Sequence, residues 1–390
     1  MESLALQAIQ LATKGLNVFC KFLSANDTGL TSSHQAGIYI PQNSIPILFS
    51  EKGNKGENKD KWIKIKWQND FETSSRFIYY GKGTRNEYRI TNFGRNFPFL
   101  TPEYTGALFI LVQITDDIYH SFVLNTDEDI NLFLDSFGLS PAQTNKLINT
   151  NETHLGVQEK KEFENYIHNL TVDFPTSVDM SFEARRIQNA IYNHAEYIET
   201  NPDQKLIDWT DTEYRLFKAI EFERYGKFIT SGFDSVESFI GLANQVLNRR
   251  KSRAGKSLEN HLTALFDGND LIYQSQAITE GNKRPDFLFP SQTAYHDINF
   301  PTNRLVTLAA KTTCKDRWRQ IINEADRLRK CPKFLCTLQQ GISPSQMDEM
   351  QEENVILVVP KPYISFYPND RQNRIWTISK FINYIKEIEK

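Results

Sequence analysis

The strongest chemical signal in the chain is an aspartate and a lysine, each at one end of an apolar run. Asp286 opens the run in RPDFLFP, and Lys311 closes LVTLAAK. Alternation along an extended segment sends Asp286 and Leu288 to one face and Phe287 and Phe289 to the other. If the two strands are neighbours, carboxylate and ammonium arrive at one sheet edge, the skeleton of a metal-dependent phosphodiesterase site. Magnesium takes oxygen ligands and keeps several waters, so one or two carboxylates suffice, while a lysine orients or activates the attacking water and offsets phosphate charge. The usual skeleton carries a second acid two residues before the lysine, and that position is Ala309. The second carboxylate must therefore come from elsewhere. Glu324, on the flank of RWRQIINEADRLRK, and Glu259, in KSLENHLTALF, are the candidates, which gives Asp286, Glu324 and Glu259 as the expected ligands of Mg2+. A turn cap after Pro285 is the alternative use of Asp286, and a solvated pair with Arg317 or Arg327 that of Glu324.

These residues need a sheet to hold them. LIYQSQAI, PDFLF, LVTLAAK, FLCTL and VILVVP read as short apolar strands, with helices at KSLENHLTALF before them and RWRQIINEADRLRK among them. This is an α/β domain built on a mixed central sheet. In the first helix Leu258, Leu262, Leu265 and Phe266 share a face; in the second Trp318, Ile321, Ile322, Ala325 and Leu328 form the buried stripe. Upstream, residues 17–140 break into short runs such as GIYIP, KWIKIKW, YRIT and GALFILVQI, whose alternation marks half-buried antiparallel strands. From Ser181 the apolar spacing lengthens to three and four residues, so helices follow. The polar stretch Glu159–Thr176, ending near Pro175, marks the change of domain.

A length of 390 residues suits about two domains. Subtracting 48 acidic from 45 basic side chains leaves −3, which excludes a uniformly basic nucleic-acid coat. The charge is uneven: residues 51–100 hold 11 positive and 6 negative side chains, residues 101–200 hold 5 and 16, and residues 301–350 hold 9 and 5. Two separate basic segments can therefore meet phosphate. Four cysteines without metal-ligand spacing, Cys331 and Cys336 being the one near pair, point to buried thiols in a reducing compartment and to no zinc. The amphipathic start MESLALQAIQLATKGL carries Glu2 where a signal peptide would be basic, and no run of 18 apolar residues occurs; a cytoplasmic protein without membrane attachment is expected.

Longer motifs add a resemblance. NRRKSRAGKSLENHL, QAITEGNKRPDFLFPS, AYHD and KTTCKDRWRQIINEADR resemble the catalytic domain of the EcoRII restriction endonuclease family, and KFLSANDTG, HQAGIYIP, TRNEYRIT and TGAL resemble that family's effector domain, in the same order over roughly residues 17–360. The resemblance implies an N-terminal β-barrel-like DNA-binding domain, a pseudobarrel like that of plant transcription factors, at 1–165. It implies a linker at 166–185 and a C-terminal α/β restriction-endonuclease-like domain of the PD-(D/E)xK class at 186–390. It further implies a homodimer that cuts duplex DNA at CCWGG-like sites with Mg2+, regulated by a second copy of the site on the N-terminal domain, with a cognate cytosine methyltransferase as functional partner.

Matched motif by motif, Asp286, Lys311, Lys315 and Glu324 fall on catalytic positions of the family, and Tyr295 falls on a tyrosine that either stands by the active site or packs beneath it. Arg250 and Arg253 of RRKSR fall on the site-recognition segment, expected just before a helix. His34 and Tyr39, with Arg85, Glu87 and Arg89, fall on the two DNA-reading segments of the effector domain. The chemistry is apt, since arginine grips guanine bidentately and glutamate accepts from cytosine N4. A non-cleaving DNA-binding protein built on the same frame is the rival reading; it would have no use for Asp286 and Lys311.

Overall fold

The computed structural model describes residues 3–30, 37–148, 156–192 and 194–390. The N-terminal part runs α1 (Leu4–Ala12), β1 (Asn17–Phe22), β2 (Ile38–Ile40), β3 (Lys59–Trp67), β4 (Glu72–Tyr80), β5 (Glu87–Thr91), β6 (Leu108–Gln113), β7 (Ile118–Leu124), α2 (Asp127–Phe137) and β8 (Lys146–Leu147). Among the described residues these strands form one eight-stranded curled sheet, ordered β2-β5-β4-β3-β7-β6-β1-β8. Every pairing is antiparallel except β3 with β7.

The two-residue period of the strands explains its two cores. Phe19, Ile63, Ile65, Trp67, Phe77 and Phe109 fill the interior of the curl, while Trp62 on the other face of β3 is exposed. The alternate side chains of β1 and β6, Val18, Cys20, Leu108 and Ile110, pack outward against Ala5 and Ala8 of α1 and Ile130 and Phe133 of α2. Helix α2 starts where the Thr126 side chain accepts from the Asp129 N–H, carries three acids in its first turn, and stops at Gly138 in a left-handed conformation.

The C-terminal part runs α3 (Val157–His168), α4 (Ser177–Tyr192), α5 (Tyr197–Thr200), α6 (Pro202–Ser231), α7 (Val236–Asp267), β9 (Gln274–Ser275), β10 (Phe287–Phe289), α8 (Gln292–His296), β11 (Val306–Lys311), β12 (Lys333–Thr337), α9 (Pro344–Glu352), β13 (Val355–Val358) and α10 (Ile378–Glu389). Its five-stranded sheet, β13-β12-β11-β10-β9, is mixed as expected: parallel from β13 to β11 and antiparallel from β11 to β9. The predicted stripe Leu258, Leu262, Leu265 and Phe266 of α7 packs on Phe287, Phe289 and Leu308, and α10 adds Phe381, Ile382 and Ile385.

Three sequence expectations need correction. Residues 166–185 contain the end of α3 and half of α4, which pack through Phe163, Met180 and Ala184 onto Leu216, Phe217 and Ile220 of α6; they are helical domain and not linker. RRKSR does not precede a helix but lies in the middle of the 32-residue α7. The segment RWRQIINEADRLRK is not an α-helix but two 3₁₀ turns, Arg317–Asn323 and Asp326–Leu328. Side chains hold its N–H groups, and those of Asp326 and Arg327 are ones that a continuous helix would use. The Asp127 carboxylate accepts from the N–H of Asp316 (2.8 Å) and Arg317 (2.9 Å), and that of Glu280 from Asp326 (2.9 Å) and Arg327 (3.1 Å). Trp318, Ile321, Ala325 and Leu328 are buried nonetheless.

The two parts meet backbone to backbone. Gly106 (φ +79°) lies so close to Gly341 that a Cβ on it would stand 1.9 Å from the Gly341 carbonyl oxygen, and Gln339 donates to the Gly106 carbonyl at 2.7 Å. Only glycine fits position 106, for both its φ and its neighbour.

Candidate active site and DNA-reading segments

Antiparallel pairing of β10 with β11 sets Phe287 opposite Leu308, which brings Asp286 beside the end of β11. Asp286 is 8% exposed. Its Oδ2 accepts from the Ala310 N–H (2.8 Å) and lies 3.2 Å from Lys311 Nζ; its Oδ1 accepts from the Gln276 side-chain amide (3.1 Å). The same amide nitrogen reaches Glu259 Oε2 of α7 at 3.3 Å. Gln276 opens the motif QAITEGNKRPDFLFPS, but as an uncharged amide ten residues before Asp286 it was not singled out.

Glu324 reaches the cluster from the end of the first 3₁₀ turn, where Thr279 Oγ1 donates to its carbonyl at 2.6 Å. Burial, reinforced by the Asp286 charge and opposed by Lys311, pushes the Glu324 carboxyl up to about 7. Glu259 is likewise raised, by burial first and then by Asp286, with Lys311 and the Gln276 amide opposing. The Asp286 charge thus bears on both Glu324 and Glu259, with the Lys311 ammonium opposing it in each case. Among the described residues no three acidic, imidazole or thiol side chains are gathered tightly enough to cage a metal alone. The donors are all oxygen and the crowding is of like charge, a setting that a hard divalent cation retaining its own waters would relieve.

The other predicted catalytic residues sit elsewhere. Lys315 is buried against the N-terminal part, its Nζ 2.8 Å from the Thr105 carbonyl and 3.4 Å from that of Glu103, and makes no contact with Asp286. Burial pushes its ammonium down to about 8, with Asp127 opposing. Tyr295 is 2% exposed and packs with Leu288, Leu305 and Leu328 beneath the sheet; its hydroxyl donates to Glu280 and accepts from the Arg327 N–H (3.1 Å). Of the two readings of Tyr295, packing beneath the site is the one the geometry matches. Glu280, which ties Tyr295 to the second 3₁₀ turn, was missed because its partners lie 15 to 47 residues away.

The expected DNA-reading residues divide similarly. Arg250 is clamped by the Glu221 carboxylate (2.7 to 3.1 Å) and donates to the carbonyls of Asp135 (3.1 Å) and Ser136 (2.7 Å) at the end of α2. Arg253 is a correction: at 5% exposed it pairs with Glu213 (3.2 Å) and lies over the rings of Tyr214 and Phe217, so it packs the helical core and faces no groove. In the N-terminal part Tyr39 on the edge strand β2 stands opposite Arg89 on β5, the strand next to it. Arg89 is a second correction, being 4% exposed and held by the Gly37 carbonyl and by Glu87, each at 3.2 Å. Arg85 is exposed over the Tyr80 ring, and Glu87 is half-buried. His34 lies outside the described residues.

Comparison with known proteins covers both parts. Residues 12–144 match the family model of the N-terminal domain of restriction endonuclease EcoRII, and residues 217–382 match that of the EcoRII C-terminal domain. The chain is 38% identical over 400 residues to the type II restriction enzyme EcoRII of Escherichia coli, covering 96% of this chain and 95% of the relative. It is 21% identical over 259 residues to the type II restriction enzyme SsoII of Shigella sonnei, covering 59% and 81%. A structure of metal-depleted Ecl18kI in complex with uncleaved, modified DNA aligns at a TM-score of 0.47 with 20% identity, over 59% of this chain and 83% of the other.

Proposed function

Because the chain belongs to the EcoRII family of type II restriction endonucleases and is therefore a site-specific deoxyribonuclease, we propose that it hydrolyses duplex DNA at CCWGG-like sites with Mg2+ as cofactor. The observation that carries this reading is the Asp286 carboxylate held between the Ala310 N–H and Lys311, with Glu324 and Glu259 facing it. Asp286, with Glu324 and Glu259, would hold the metal, which when bound supplies Lewis-acid stabilisation of the charge that builds on the phosphorus oxygens. Lys311 orients the attacking water and offsets phosphate charge. Glu324, beside Asp286, would add an oxygen donor to the metal's ligand set. Tyr295 and Glu280 hold the loop that presents Glu324.

The N-terminal domain acts as effector. Arg250 and Lys315 fall on functional positions of the family's motifs, yet both are occupied by carbonyls of the N-terminal domain. In this arrangement the base reader and the lysine are sequestered, and binding of a second site by Tyr39, Arg85 and Glu87 would draw the domain away. A homodimer fits the two strands of a duplex. The hairpin of α6 and α7 supports it, exposing Phe222, Phe228 and Ile229 on α6, Phe233 in the turn, and Phe239 and Ile240 on α7 at 37 to 75%. No described helix is long and apolar enough to cross a membrane, and all four cysteines are free; a cytoplasmic site of action, alongside a cytosine methyltransferase protecting host DNA, completes the reading.

The test is to incubate the protein on a plasmid carrying several CCWGG sites, with Mg2+ or with EDTA, and sequence the fragment ends. Magnesium-dependent ends at one repeated five-base sequence are expected. A retarded complex without cleavage would overturn the reading in favour of a non-cleaving binder, and ends at another sequence would overturn the assigned site.

A further inference from the structure

Gln276 follows β9 with φ +50°, a left-handed conformation that costs a non-glycine residue roughly 1 kcal/mol. Its own N–H donates to the Asp286 carbonyl at 3.1 Å, which fixes the turn against β10. Glycine or asparagine would adopt this conformation more cheaply, so a glutamine there points to use of its side chain. That side chain ends in a primary amide whose nitrogen spans two carboxylates from different elements, Asp286 Oδ1 at 3.1 Å and Glu259 Oε2 at 3.3 Å. The other oxygen of Asp286 is already engaged by the Ala310 N–H and Lys311.

We propose that Gln276 is a positioning residue of the metal site: its amide holds the Glu259 carboxylate of α7 in register with Asp286 of β10, so that one divalent cation meets both. The proposal rests on the metal-dependent reading above. Groups that orient metal ligands without touching the metal change its affinity by about 10- to 100-fold when removed. Gln276 touches no reacting atom in this role, so its loss acts on metal affinity more than on turnover.

The variants are Gln276→Gly, which keeps the backbone conformation and its N–H while removing the amide, and Gln276→Asn, whose amide is too short to reach both carboxylates. Full-length protein without DNA is titrated with Mn2+ alone, followed by loss of the free-ion paramagnetic resonance signal. In parallel, cleavage is measured against metal concentration. Both variants are expected to raise half-saturating Mn2+ by about tenfold and to leave kcat at saturating metal within about threefold. Unchanged or tighter Mn2+ binding would overturn the proposal, the latter because it would mean that the amide competes with the metal. Asp286→Ala separates the two levels of the argument. If it leaves Mn2+ binding unchanged, the metal site itself is misassigned; if it abolishes binding while the Gln276 variants bind normally, only the positioning role fails.

Discussion

Replacing Glu324 by glutamine should stabilise the metal-free protein while it destroys activity. The Glu324 carboxyl, ordinarily at 4.5, is pushed up to about 7 by burial and by Asp286. In the unfolded chain it ionises near 4.5. Between these two values the folded state keeps a proton that the unfolded state has released, so stability falls as pH rises. The favourable contribution is complete below pH 4.5 and lost as pH climbs through about 7, a change of about 3 kcal/mol. Glutamine resembles the protonated acid and pays no such cost. Urea unfolding in EDTA, followed by tryptophan fluorescence, should therefore give similar stabilities for wild type and Glu324→Gln at about pH 4.5, and a variant more stable by up to about 3 kcal/mol at about pH 8. Adding Mg2+ at the higher pH should stabilise the wild type more than the variant, which keeps Asp286 and Glu259 but lacks the third carboxylate. Parallel pH profiles for the two proteins would refute the reasoning, since they would mean that Glu324 is solvated and does not feel Asp286.

The contact between domains gives a second prediction. Asp127→Ala removes the acceptor of two backbone N–H groups, worth about 1–3 kcal/mol each way of counting a lost charged acceptor, and should raise cleavage in the absence of added site-bearing DNA; a basal rate equal to wild type would mean that this contact does not restrain the enzyme. If Arg250 reads a guanine bidentately, Arg250→Ala should lower site-specific cutting by roughly 5- to 150-fold, the equivalent of about 1–3 kcal/mol, although it also loosens the end of α2. Wild-type cutting of the same site by that variant would exclude Arg250 as a reader.

Local pattern carried much of this architecture. Alternation in KWIKIKW buries Ile63, Ile65 and Trp67 and exposes Trp62, and PDFLF divides as its period requires, Leu288 to one core and Phe287 and Phe289 to the other. Asp286 and Lys311 were legible because each terminates an apolar strand, and the register of β10 with β11 joins them. What escaped depends on partners distant in the chain. The stripe of RWRQIINEADRLRK is helical in period, yet Glu280, some 46 residues away, takes the N–H groups of Asp326 and Arg327 and interrupts it between two 3₁₀ turns. Arg253 and Arg89 look like surface bases in sequence, but Glu213 with two aromatic rings, and Glu87 with the Gly37 carbonyl, make them interior groups. Charge alone cannot report such burial, because a buried arginine and a groove-reading one differ only in what surrounds them.

Metal-dependent strand cleavage is assigned to the cluster on Asp286. Its most direct test is to compare wild type with Asp286→Ala on a site-bearing duplex, measuring single-turnover cleavage in Mg2+ and binding in Ca2+. The variant is expected to lose cleavage and still bind the site, because the substitution removes a metal ligand and no base contact. Cleavage near the wild-type rate, or loss of specific binding in a correctly folded variant, would contradict it.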